Sequence, residues 1–190
     1  MKIMRLSGRI YFFLVLIAAT VLYFSGCSGA DKQPDEKNGH ILAEKVSITN
    51  SFLSYTDSLT RLPLSQLNRL GIVPINKRFA GQLPLSIYEG KAIGQDSIIV
   101  QPYKNNDMAS VQAGIRLLVP KSITDSLTIG DFTRYFGDIK KERPMIGTTE
   151  QPLPIEISIN ASTALKLTFN HSEKLELAHV TMVEVLKYRL

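Results

Sequence analysis

The sequence predicts an α+β domain, with short helices packed on antiparallel β-sheet, carried behind an N-terminal export segment. Three observations predict it. Ile155, Ile157 and Ile159 alternate with polar residues, as do Leu165, Leu167 and Phe169, and a period of two marks a strand with one wet face. Ile129, Phe132 and Phe136 fall at the spacing that places apolar groups on one helix face. An uncharged apolar run from Ile10 to Phe24 precedes all of this.

That run follows a short basic region of Lys2, Arg5 and Arg9. It is short for a spanning helix, which needs about 20 apolar residues, and it ends in the small residues Ser25 and Gly26, as a signal peptide does. Cys27, the one cysteine of the chain, comes next. The stretch Phe24-Ser25-Gly26-Cys27 resembles the lipobox of bacterial lipoproteins, with Phe24 where leucine is usual. The resemblance implies cleavage between Gly26 and Cys27 and acylation of the Cys27 thiol. Lipidation accounts for a cysteine at this place better than an uncleaved signal anchor, a buried structural thiol or a free thiol in an oxidising compartment. Each buried methylene contributes ~0.8 kcal/mol, and stable anchoring takes more than one chain. The expectation is therefore a membrane-anchored protein.

Loss of residues 1–26 removes three basic side chains and no acidic ones, so the net charge falls from +5 to +2. A nucleic-acid partner calls for a strong basic stripe, and none is expected here. Without a second cysteine the mature chain has no intramolecular disulfide, and stability must come from burial.

Residues 28–40 contain no large apolar side chain and cannot offset their ordering entropy. Residues 27–45 therefore read as the lipidated cysteine and a flexible tether. Ser28 resembles the sorting signal for the outer membrane, and Asp31, Asp35 and Glu36 faintly resemble the surface-export tether of Bacteroidota lipoproteins.

The remainder divides into halves at 46–120 and 121–190. Thr56-Asp57-Ser58-Leu59-Thr60 recurs as Thr124-Asp125-Ser126-Leu127-Thr128, which points to a duplication: two small lobes or one pseudo-symmetric domain. After each copy a helix is expected. The first carries Leu64, Leu67 and Leu70, opens at Pro63 and ends at Gly71; the second carries Ile129, Phe132 and Phe136 and ends at Gly137. Thr128 and Asp131 form a capping-box-like pair. Basic loops follow, Lys77-Arg78 in one half and Lys140, Lys141 and Arg143 in the other. Leu83–Ile87 then aligns with Leu153–Ile157. Ser97–Gln101 and Val111–Val119 read as strands around a loop holding Lys104 to Asp107. Leu175 to Leu186 reads as one long strand, or two with a break near His179.

Chemistry is sparse. His40, His171 and His179 lie at no ligand spacing and have no cysteine partner, so no metal or cofactor is expected. No Gly-x-Ser-x-Gly elbow is present, and Gly90 and Gly94 around Lys91 lack the phosphate-loop spacing. Asp131 and Asp138, seven apart, read as a solvated helix face rather than a catalytic pair. Arg134 and Tyr135 combine guanidinium and aromatic groups, the types that dominate binding hot spots, and are the candidate binding residues. The basic loops could face anionic lipid or lipopolysaccharide. The expected function is a non-enzymatic binding module at the outer membrane, with a protein or glycan partner. A structural subunit of an envelope secretion or transport assembly is the alternative, and a lipid-anchored hydrolase comes third.

Overall fold

The computed structural model describes residues 36–90, 96–105, 110–139, 153–170, 172 and 174–189, with side chains from Val46 onward. Chain contacts divide the protein into two units, Met1–Gly39 and His40–Leu190, and every described strand belongs to the second. Cys27, Gly26, His171 and the basic cluster Lys140, Lys141 and Arg143 lie outside the described residues.

The first described element is a long helix, α1 (Glu36–Thr60), which begins inside the segment read as tether. Its buried stripe is Phe52, Tyr55, Thr56 and Leu59, all fully buried and spaced three, one and three apart. That is one helix face. A threonine and a tyrosine sit in the stripe, so the apolar periodicity of this stretch is faint in the sequence. Phe52 meets Phe132 edge-on at 6.3 Å and Tyr55 meets Phe79 at 5.5 Å. Burying each such ring contributes about 1.5–3 kcal/mol. Tertiary packing rather than local propensity thus holds α1 in place.

The helix expected over Leu64, Leu67 and Leu70 takes another form. Leu64–Gln66 is a single 3-10 turn behind Pro63, and α2 spans Arg69–Phe79. The start moves because Asn68 is the better cap: its side chain accepts a hydrogen bond from the Gly71 amide at 3.2 Å. Leu70 is consequently turned outward, 84% exposed, while Ile72, Ile75 and Phe79 face the core. Gly71 is not a C-terminal cap but a first-turn residue, where a Cβ would collide with the Gln66 carbonyl. Lys77 and Arg78 lie in the last turn of α2 and not in a loop, where cations complement the helix dipole.

Six strands form one sheet: β1 (Leu85–Ile87), β2 (Ile98–Lys104), β3 (Val111–Leu118), β4 (Ile155–Asn160), β5 (Thr163–Phe169) and β6 (Val180–Tyr188). Their order is β1-β2-β3-β6-β5-β4. All neighbouring pairs are antiparallel except β1 and β2, which run parallel. The fold is therefore α+β with a mixed sheet. Between β3 and β4 come the short α3 (Lys121–Thr124) and α4 (Ile129–Phe136). Thr128 and Asp131 make the reciprocal capping box that their spacing suggests, and Gly137 follows the helix at φ +106°. Residues Leu175–Leu177 are a 3-10 turn rather than strand; β6 starts at Val180, and His179 only bridges to Thr128.

The two halves meet at β3 and β6 and share one core cluster, so they are not separate lobes. The repeated pentapeptide serves different ends in them. Its first copy closes α1, whereas the second runs from the end of α3 to the cap of α4. The outer strands differ too, since β1 joins β2 in parallel and β4 joins β5 as a hairpin.

One face of the sheet carries Val100, Ile115, Leu117, Val183, Val185, Leu165, Leu167 and Ile157, and packs with Phe52, Phe79 and Phe132 of the helices in a single cluster. The other face is polar along its middle.

Candidate functional site

The candidates named from sequence are scattered. Arg134 lies on the exposed side of α4 and pairs with Asp131 one turn back, at 3.3 Å. Tyr135 is half exposed and tilted against Phe136 at 4.8 Å. Asp131 is occupied by the capping box, where Oδ2 accepts from the Thr128 amide at 2.9 Å. Asp138 lies past the end of α4, so it shares no helix face with Asp131. His40 lies in α1, and the His179 Nδ1 atom is buried without a hydrogen-bond partner. Among the described residues no group of three or more His, Cys, Asp or Glu is placed to hold a metal ion.

Two arrangements emerge that sequence reasoning missed. The first is a charged rung across the polar face. In register, Gln101 lies beside Arg116, Arg116 beside Glu184, Glu184 beside Lys166 and Lys166 beside Glu156. Opposite charges alternate along it, as favourable cross-strand neighbours should. Glu184 is its centre: Oε1 accepts from Arg116 Nε at 3.0 Å and Nη2 at 2.9 Å, and Lys166 Nζ stands 4.0 Å from Oε2. Tyr103 lies over Gly114 and under the Arg116 guanidinium, 5.4 Å from its ring centroid. Burial and the hydrogen-bonded Glu184 carboxylate push the Tyr103 phenol up to about 12. At the rung's far end, Tyr188 donates to Glu156 at 2.9 Å. Every charge in this row has a partner, so it reads as the frame of the polar face.

The second arrangement is a pair of clefts at the end of the sheet where α1 terminates. A β-bulge creates it. Val111 pairs with Tyr188 and Ala113 with Lys187, so Gln112 is the extra residue on β3. Bulges commonly re-aim a side chain beside a functional site. On one side of Gln112 a cleft of about 370 Å³ is lined by Leu64, Ser65, Lys104, Asn105, Gln112 and Arg189. On the other, a cleft of about 350 Å³ is bounded by Pro63, Leu64, Gln112, Ser162, Lys187 and Tyr188. Leu64 and Gln112 line both. The 3-10 turn after α1 thus forms one wall, and the ends of β2, β3 and β6 form the other.

The lining is rich in donors. Lys104 and Arg189 are exposed and have no ion pair among the described residues. Lys187 sits one strand from Lys104 in register, across Ala113. Its Nζ donates to the Thr60 carbonyl at 2.7 Å and to Thr163 Oγ1 at 2.8 Å, and burial lowers its pKa. Asn105 donates its amide to the Val111 carbonyl at 2.9 Å. Chemically the cleft offers cations and neutral donors; among the described residues neither lining contains a carboxylate. Sequence noted Lys104 only as part of a loop. The bulge that brings Gln112 to it leaves no mark in the alternation, because Val111 and Ala113 flank Gln112 as they would in a regular strand.

No protein-family model, curated protein or solved structure matches this chain significantly.

Proposed function

We propose that this chain is a lipoprotein held at the outer membrane by acyl groups on Cys27, and that its folded domain is a binding module using the clefts around Gln112. The observation that supports this best is the bulge, which turns a strand end into a donor-lined recess of a size typical for ligand sites, about 300–1,000 Å³.

The test has two parts. Acyl labelling and membrane fractionation should both be lost in Cys27→Ala; labelling that persists overturns the anchor. A photo-crosslinking residue placed at Gln112 in the full chain, in intact cells, should give a defined adduct that the same residue at Ser158 does not. Equal adducts at both positions overturn the assignment to the cleft.

A second reading, a structural subunit of an envelope assembly, draws on Tyr135, Leu175 and Leu177. These are exposed apolar side chains on two elements packed together, α4 and the 3-10 turn before β6, and clustered exposed apolar surface is what interfaces use. Co-purification of one stoichiometric partner set, lost in Leu177→Asp but kept in Gln112→Leu, would favour it.

A further inference from the structure

We infer that the larger Gln112 cleft recognises a phosphate group, held between Lys104 and Arg189 and completed by Gln112 and Ser65. The inference rests on the binding-module reading above and names the ligand chemistry of the same recess. Four observations carry it.

Two cationic side chains enter from different strand ends: Lys104 closes β2, and Arg189 follows β6. Arginine presents a planar fork that fits a phosphate through two parallel hydrogen bonds, while lysine adds a compact point charge. Among the described residues neither is engaged by an acid, and none that lines the cleft is acidic. Among the described residues their charge is uncommitted.

Lys187 strengthens the field without competing for the ligand. It stands across Ala113 from Lys104 and lines the adjoining cleft, where its ammonium already donates to Thr60 and Thr163. Among the described residues the larger cleft thus holds two cations without an ion pair, and the committed one stands in the cleft beside it.

The neutral donors sort in the same way. Asn105 directs its amide to the Val111 carbonyl and is a wall rather than a ligand. Gln112, displaced by the bulge, and Ser65, on the 3-10 turn, remain to reach further oxygens. A carboxylate carries a single charge, whereas a phosphate monoester carries about −1.5 to −2 at neutral pH and three acceptor oxygens. Two cations and two neutral donors match the phosphate better.

The phosphate could belong to a soluble ester or to a lipid headgroup, and one experiment separates the two. The full lipidated protein, purified in uncharged maltoside micelles at low ionic strength, is titrated with inorganic phosphate in a calorimeter. Saturable binding is expected. It should weaken about tenfold or more in K104Q/R189Q, by a smaller factor in Gln112→Leu, and not at all in K121Q/K174Q, which removes the same charge elsewhere on the surface. Phosphatidic acid, a lipid phosphate monoester, competes when added to the micelles if the site accepts lipid phosphate; diacylglycerol should not. Absence of competition assigns the site to soluble phosphate esters. No saturable binding, or equal weakening in both double variants, overturns the inference. In that event a retained Gln112 crosslink leaves the binding-module reading standing, and a lost one removes that as well.

Discussion

Arg116 and Glu184 lie side by side on β3 and β6, and the arginine places two donors on one carboxylate oxygen at 3.0 and 2.9 Å. The pair is unequal. The Glu184 side chain is 8% exposed and the Arg116 side chain 39%. Losing Arg116 strands a buried carboxylate with Lys166 at 4.0 Å as its remaining ion-pair partner; losing the Glu184 charge leaves a guanidinium that water can reach. Arg116→Met is therefore expected to cost about 1–3 kcal/mol, and Glu184→Gln less. Urea denaturation of the two variants checks this, and a larger loss in Glu184→Gln would contradict the burial argument.

Gly114 exists for the sake of its neighbour. A Cβ there would come within 2.6 Å of the Tyr103 hydroxyl and 2.7 Å of the Val185 carbonyl. The ring can swing aside, but the β6 backbone cannot. Gly114→Ala should destabilise by about 1–3 kcal/mol. Adding Tyr103→Ala should recover only part of it, because the backbone clash remains. Full recovery in the double variant would place the whole conflict in the ring.

Tyr103 also gives the fold an alkaline signature. Its phenol titrates near 12 in the folded chain against 10.0 ordinarily, chiefly through burial and then through the Glu184 charge. Between those values the native state keeps a proton that the unfolded chain has lost. Stability from this group is complete below about 10 and falls as pH rises through the window. Tyr103→Phe should make the alkaline decline shallower in denaturation midpoints measured across that range. The ultraviolet phenolate transition should lose its component near 12 in the same variant; if the lost component instead titrates near 10, Tyr103 is not buried against the sheet in solution.

How much of this was legible depended on the residue types involved. Strands β4 and β5 and helix α4 announced themselves through isoleucines, leucines and phenylalanines at clean spacings, and the Thr128–Asp131 box is a local motif that needs no tertiary information. The 25-residue α1 was missed because Tyr55 and Thr56 occupy half of its buried stripe. The parallel β1–β2 pairing and the break of Leu175–Leu177 from β6 depend on long-range packing, which a linear pattern does not carry. The same holds for the clefts. Lys104, Gln112 and Arg189 are unremarkable in type; the β2–β3 pairing brings the first two together, and the pairing of β3 with β6 across the bulge adds the distant Arg189. Arg134 and Tyr135 had the right residue types for binding, and the structure gives them an ion pair within the helix and a ring contact.

Lys187 offers a final check on how α1 is fastened to the sheet. Its ammonium reaches from β6 to the last carbonyl of α1 and to Thr163 on β5, so a single side chain ties three elements together. Cations suit a helix C-terminus, yet burial holds this one's pKa below 10.5. The unfolded chain therefore binds more protons than the native one as pH approaches 10.5 from below, and this group's contribution to stability rises with pH there, opposite in sign to that of Tyr103. Lys187→Met should cost about 1–3 kcal/mol at neutral pH through the two lost hydrogen bonds, and should remove the rising component. Amide exchange makes the structural claim specific: protection near the end of α1, at Leu59 and Thr60, should fall more than at Val183 in the centre of β6. A uniform fall across both would mean that Lys187 supports the sheet as a whole rather than the α1 junction.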